Sequence, residues 1–533
     1  MGQGGPLVDF PLLAAAASHF AAYPGVQSDH ATQQFLEQFP LQVLFSALER
    51  GSDVPGLESA VTSCLEKIFS NSYGSSLLPY ALPYAVVGFS ASSPLVRRLT
   101  CFAITKLLDS RKADGSAVEI LAQSDAVSPL IYAVADGDAS VAAAAGNAVA
   151  ELAKAPNGLE LVFMDRGAGA VQLKEMASHE SALVRIRALS IAAKIFSLSD
   201  AAAAAIEQAG ILKSLEDELS NSNDILSQIN ALELLAEVSE TPNGARFLLT
   251  GNLIGHLAVT IENPSIDSLV RSRAMIVGAR LLSSFHLIAS PLTDSDASGI
   301  VIAIDKNLQY LKSSDQDSAD VNLNEQEVAL DALGQIGTSA RGAELLLSSS
   351  DPVARHVVEA AFRQHGGGIQ LGALHALASL CGSERTDMSP LLNESAESSL
   401  RNLIYSATGG IASRTPADLL WSLLKQAPEI RVAAYRFIGA LVARSWILWE
   451  ICSHKPLIDV LVDPRTEPLK EGMEWRHSCC VAIASALAAG SQRGDQFPTD
   501  VVMKLETAAR KGPYAGATGG RQAIPEVATQ GRF

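Results

Sequence analysis

A step of 43 residues constrains this chain more than any other feature. Asn71, Asp114, Asn157, Asp200 and Asn243 recur at that interval, and a small residue follows most of them (Gly115, Gly158, Ala201, Gly244; Ser72 in the first). Ala145, Ala188, Ala231 and Ala274 keep the same step, as do Gly167 and Gly210. A unit of this length cannot close a hydrophobic core alone. It buries its apolar face against the units before and after it, so the chain must fold as a stacked array.

Each unit is predicted to be helical. In the one opened by Asp200, a short helix through Gln208 is followed by Gly210, where a positive φ costs glycine little. A second helix follows over about 211–219, with Leu212, Leu215 and Leu219 on one side. Ser220-Asn221-Ser222-Asn223 has turn chemistry. A third helix, over about 224–238, carries Ile229, Leu232, Leu235 and Ala236 at helical spacing. The Asn/Asp positions 71, 114, 157, 200 and 243 are predicted N-caps, because their short polar side chains can accept the orphan N–H groups of a first turn. The recurrent alanines suit long helices that approach their neighbours closely. Two short helices, a glycine break, a polar turn and a long alanine-rich helix make the armadillo pattern. The fold class expected is all-α, an armadillo/HEAT-like right-handed α-solenoid superhelix occupying residues 29–511. Residues 1–28 and 512–533, rich in Gly, Ala and Pro, are expected to be flexible, and 313–327 is expected to be a protruding acidic loop.

Composition limits function. Of 533 residues, 40 are Lys or Arg and 57 Asp or Glu, a formal net charge of −17. Such a chain offers no basic field for nucleic acid or anionic lipid, and no apolar run is long enough to cross a membrane. The first basic residue is Arg50, which disfavours a secretory or mitochondrial leader and points to the cytoplasm, with the nucleus as a second compartment. The six cysteines (64, 101, 381, 452, 479 and 480) form no C-x-x-C pair and are expected to be buried thiols in a reducing compartment.

Catalytic motifs are missing. There is no Gly-Lys pair and hence no P-loop, and Gly167-Ala168-Gly169 lacks both the third glycine of a dinucleotide fingerprint and a preceding strand. His365-Gly366-Gly367-Gly368 matches an esterase oxyanion tetrapeptide, but the chain has no G-x-S-x-G elbow to supply the nucleophile. His356, His365 and His375 lack the four-residue spacing of a helical metal site. Neither catalytic residues nor a cofactor or metal are expected.

Tryptophan is confined to the last quarter: Trp421, Trp446, Trp449 and Trp475. A ladder of one tryptophan per repeat, as in nuclear-import armadillo proteins, is therefore not expected. Trp446 and Trp449 are candidate partner-binding anchors, with packing as the competing role.

Two stretches carry a family resemblance. One is Pro156-Asn157-Gly158-Leu159-Glu160-Leu161-Val162-Phe163. The other runs from Ala427-Pro428-Glu429-Ile430-Arg431-Val432-Ala433-Ala434-Tyr435 through Trp446 to Pro456-Leu457-Ile458-Asp459-Val460-Leu461-Val462-Asp463-Pro464-Arg465, with Lys511-Gly512-Pro513-Tyr514 near the end. Their order and spacing resemble the non-ATPase regulatory subunit 5 family of the 26S proteasome. The resemblance implies a non-enzymatic chaperone of regulatory-particle assembly, monomeric when free. Its partner would be the C-terminal domain of an ATPase subunit of the base, released on maturation. The sequence departs from the family after Gly512-Pro513-Tyr514, where a second aromatic is missing, and at Met473-Glu474-Trp475-Arg476-His477. A general armadillo scaffold unrelated to the proteasome is the alternative.

Overall fold

A computed structural model of the chain describes residues 9–50, 54–110, 115–163, 168–220, 224–250, 252–283, 294–313, 319–363, 367–385, 391–409 and 414–515. Among them there are helices and turns and no strand. The chain divides into two compact units, Met1–Gly244 and Ala245–Phe533.

In the first unit the helices Phe10–Ala21, Leu57–Phe69, Pro94–Ser110, Ala139–Lys154, Ala182–Phe196 and Ile225–Ser239 pack each on the next. Shorter helices fill the intervals, such as Asp200–Ala209 and Ser214–Ser220. The recurrent alanines lie in this ladder: Ala145, Ala188 and Ala231 are completely buried. Methyl-sized side chains let the long helices come close without giving up helix propensity. Gly210 ends Asp200–Ala209 in the left-handed conformation (φ 67°), accepting the break that the sequence placed there. In the second unit the corresponding long helices are Ser268–Ser283, Ala319–Ile336, Gly367–Leu380, Pro428–Leu441 and Lys470–Gln492. Ala274 is again completely buried. Starting points at 268, 319, 367, 428 and 470 explain why the period fades here: the layers persist while the intervening segments change length.

Three expectations need correction. The segment expected to be flexible at the N-terminus contains the helix Phe10–Ala21, capped by Asp9 accepting from Leu12 N–H at 3.2 Å. Leu13, Ala17 and Phe20 form an apolar stripe that is buried against Leu57–Phe69, and this burial outweighs the local Ala/Gly/Pro composition. The expected acidic loop is, from Ala319 onward, the opening of Ala319–Ile336. Glu325 sits in the interior because Arg271 binds both of its carboxylate oxygens, at 2.7 and 2.6 Å, and Asn307 donates a third bond at 2.8 Å. Residues 314–318 and the tail from 516 lie outside the described residues.

The third correction concerns the caps. Asn71 does accept from Gly74 N–H at 2.7 Å at the start of Ser72–Ser76. Ser199, not Asp200, caps Asp200–Ala209, through a bond from Ala202 N–H at 3.2 Å. Thr241, not Asn243, accepts from Gly244 N–H at 3.1 Å. Asn157 precedes Gly158–Phe163 with φ 62°, an exposed residue whose role is to turn the backbone. Asp114 lies outside the described residues. One pair of the 43-residue polar register has a different use: the Asn243 amide donates to the Asp200 carboxylate, a bond from one layer to the next. Asp29 does the same, accepting from Tyr73 N–H at 2.9 Å.

Candidate protein-interaction surface

The two candidate tryptophans share one face of the helix Ser445–Ser453, as their three-residue spacing requires. Ile447, Leu448, Ile451 and Cys452 on the other face are buried and fix the helix in the layer. Trp446 is half-buried and meets Tyr405 of the helix Glu394–Ser406, with ring centroids 5.7 Å apart. The Arg401 guanidinium lies over both rings, 5.5 Å from Tyr405 and 5.9 Å from Trp446. Tyr405 donates its hydroxyl to Glu450 at 3.0 Å. Burial, and then this carboxylate, raise the Tyr405 pKa, so the phenol stays a donor. Trp449 is 46% exposed and rests on Phe497, at 5.6 Å. Arg401, Tyr405, Trp446, Trp449 and Phe497 thus form an aromatic strip with a cation over one end.

Trp421 belongs to a neighbouring arrangement. Its ring is 5.6 Å from His454, and Lys425 Nζ lies 2.9 Å above it. His454 accepts from Leu457 N–H at 3.1 Å through Nδ1 and meets Asp418 at 3.1 Å through Nε2. The same Asp418 completes a capping box with Thr415. Rings with two χ angles and a polar rim lose little entropy on binding and resist water, the usual chemistry of an anchor for another protein.

A groove of about 170 Å³ is lined by residues including Leu371, His375, Val432, Glu467 and Glu471. Arg436 Nη1 reaches His375 Nδ1 at 3.0 Å, and the same guanidinium pairs with Glu384. Burial, and then Arg436, lower the His375 pKa. The lining holds no serine, threonine or cysteine, so this histidine has no nucleophile to activate there. His365 and Gly366 lie outside the described residues, while Gly367 and Gly368 begin the helix Gly367–Leu380. Gly368 faces Glu327, an acid that would oppose an oxyanion. Among the described residues no group of three His, Cys, Asp or Glu could hold a metal, and no helix is long and apolar enough to cross a membrane. All six cysteines are buried; burial pushes Cys64 and Cys101 up to about 12 and Cys381, Cys452 and Cys480 up to about 11. Thiols so protonated are poor nucleophiles.

The residues that hold the layers in place belong to no catalytic or binding motif. Arg185, Gln228 and Arg271 stand near the start of successive long helices, in the 43-residue step. Each donates back to carbonyls of the segment before its helix. Arg185 reaches His179 and Glu180 at 3.0 and 2.9 Å, Gln228 reaches Leu219 at 2.9 Å, and Arg271 reaches Pro264 at 3.2 Å. Arg97 and Arg431 repeat this and, like Arg185 and Arg271, each also bind a carboxylate through two nitrogens: Asp136 at 2.7 and 3.0 Å, Glu467 at 2.8 and 2.9 Å. The orphan carbonyls of one helix end are thereby satisfied by the next helix. Their signal in the sequence is the recurrence of Leu183-Val184-Arg185 as Leu269-Val270-Arg271.

Stacked helical layers without a catalytic constellation among the described residues define the class: an armadillo/HEAT-like α-solenoid, a scaffold of protein–protein interaction. A model of the family described as proteasome non-ATPase 26S subunit matches residues 58–280. The human 26S proteasome non-ATPase regulatory subunit 5 is 21% identical over 426 residues, 79% of this chain and 78% of that protein. The mouse protein of the same name is 20% identical over 434 residues, 80% and 79% of the two chains. A crystal structure of Uso1-2 superposes with a TM-score of 0.50 at 12% identity, covering 95% of this chain and 90% of that one, a likeness of fold alone. Within the α-solenoids, the chain is similar to the 26S proteasome non-ATPase regulatory subunit 5 proteins.

Proposed function

We propose that the chain is a non-enzymatic assembly chaperone of the proteasome regulatory-particle base. It binds an ATPase subunit, through that subunit's C-terminal domain, and leaves as the particle matures. The carrying observation is the match of residues 58–280 to a proteasome non-ATPase subunit family. The physical support is a surface of the right kind: half-exposed rings with a fixed cation, mounted on helices whose other faces are buried. A layered solenoid can cover a partner without a pocket, and the net charge of −17 favours a basic partner face. Release needs only that later subunits compete for the same face, since no covalent step is involved. The chain acts as a monomer in the cytoplasm, where the base is put together.

Affinity purification of the tagged chain, followed by mass spectrometry, tests the reading. The expected result is recovery of regulatory-particle ATPase subunits without the proteolytic core. Recovery of other partners with no proteasomal ATPase would leave a general armadillo scaffold in its place.

A further inference from the structure

Three arginines are buried among the described residues: Arg271 at 6% exposure, Arg444 at 3% and Arg476 at 3%. Arg271 is held by Glu325, and Arg444 by Glu397 at 2.8 and 2.9 Å. Arg476 has no carboxylate within bonding distance among the described residues, and Asp463 acts on it only from farther away. Its Nη1 donates to the Leu461 carbonyl at 2.8 Å, while its Nε is buried with no partner at all. A guanidinium stays charged, so leaving one without an anion is costly, and its fork is shaped for a carboxylate.

Arg476, from the helix Lys470–Gln492, lines a cavity of about 460 Å³ that runs along the helix Thr499–Lys511 and is closed by Val462 and Pro464. Lys504, Lys511 and Asp500 share the lining, with Val462, Met503 and Ala508 as apolar walls. Three cations and one acid line the pocket itself, with Asp459 and Asp463 just outside it. Lys504 is only loosely engaged, with Asp459 at 3.9 Å, and Lys511 makes no ion pair among the described residues. Met503 is 59% exposed at the mouth.

We infer that this cavity is a carboxylate-binding site for an acidic peptide segment of a partner protein. The carboxylate takes the free donors of Arg476, Lys504 and Lys511 hold it at the rim, and Met503 and Val462 cover the apolar residue beside it. The pocket's volume suits one or two peptide side chains, and its apolar wall distinguishes a peptide from a bare inorganic anion. The inference rests on the reading of the chain as a protein-binding solenoid but not on the proteasome as its destination.

The test is affinity selection on the full chain with blocked hexapeptide pools, one with a fixed central glutamate and one with glutamine there. A third glutamine pool carries a free C-terminal carboxylate, and inorganic phosphate is the competitor. The glutamate pool, or the pool with the free terminus, should be retained at least tenfold better than the blocked glutamine pool; which of the two wins tells a side chain from a chain end. Retention should fall at least tenfold in Arg476→Gln and also in Lys504→Glu/Lys511→Glu, whose exposed positions leave folding intact. Equal retention of all pools, or selection unchanged by the lysine pair, would overturn the proposal. Displacement by phosphate without any peptide selection would overturn it in favour of a small-anion site. Failure here with ATPase-subunit recovery intact would sink the pocket and spare the function.

Discussion

Glu467 shows at the scale of one residue how this fold tolerates charge in its interior. It is nearly inaccessible and takes three bonds, two from Arg431 and one from the Tyr435 hydroxyl at 2.8 Å. Glu467→Ala strands the guanidinium and should cost about 3 kcal/mol in urea denaturation, whereas Arg431→Met with Glu467→Leu should recover most of that loss. His356 is a second buried group whose state is set by its neighbours. It accepts from Lys312 at Nδ1 and meets Asp305 at Nε2, both at 2.8 Å, with Arg355 and Glu359 in the same network. Burial first, and then Lys312, lower its pKa below the usual histidine value. The unfolded chain therefore takes up this proton before the folded one. Stability from this site is complete above about pH 6.5 and is lost as pH falls from there through the folded pKa. The unfolding midpoint should drop between pH 7 and 5.5, and less so in His356→Gln. Asn157 was legible as a punctuating residue but not for its reason. A cap would give up its bond in either Asn157→Ala or Asn157→Gly. The observed φ of 62° predicts about 1 kcal/mol lost for alanine and none for glycine, as thermal denaturation can show.

At the scale of the element, the long helices were the most readable part of the chain. The third helix expected over 224–238 is Ile225–Ser239, and the buried alanines sit where the period put them. Periodicity records burial against a neighbour, and neighbours repeat. What was not legible was pairing between distant positions. Glu325 looks like one more acid in a polar run until Arg271 arrives from another helix. The corner between a long helix and the next short one is similarly decided in three dimensions. A Cβ at Gly158 would overlap the Leu152 carbonyl, and one at Gly244 the Val238 carbonyl. Gly158→Ala should therefore destabilise the chain by about 2 kcal/mol, the ordinary cost of overpacking, in chemical denaturation. The candidate surface was legible only as two tryptophans. Tyr405, Arg401 and Phe497 join them from elsewhere in the sequence, and no spacing rule connects those positions. Trp446→Ala with Trp449→Ala should leave the helical circular dichroism unchanged. It should weaken partner binding at least tenfold, because rings of this kind carry a large share of interface energy.

At the scale of the whole molecule, two compact units of stacked helices replace the single core that a chain of this length could not build. The low aromatic content of 5% follows from methyl-sized contacts in the ladder, with the tryptophans concentrated in the last quarter. The most direct test of a chaperone role is a binding titration of the purified chain against isolated regulatory-particle ATPase subunits and against the mature 26S particle. A base-assembly chaperone forms a saturable complex with one isolated ATPase subunit, through that subunit's C-terminal domain, and binds the mature particle little. Equal binding to both, or none to any isolated ATPase subunit, would contradict that role.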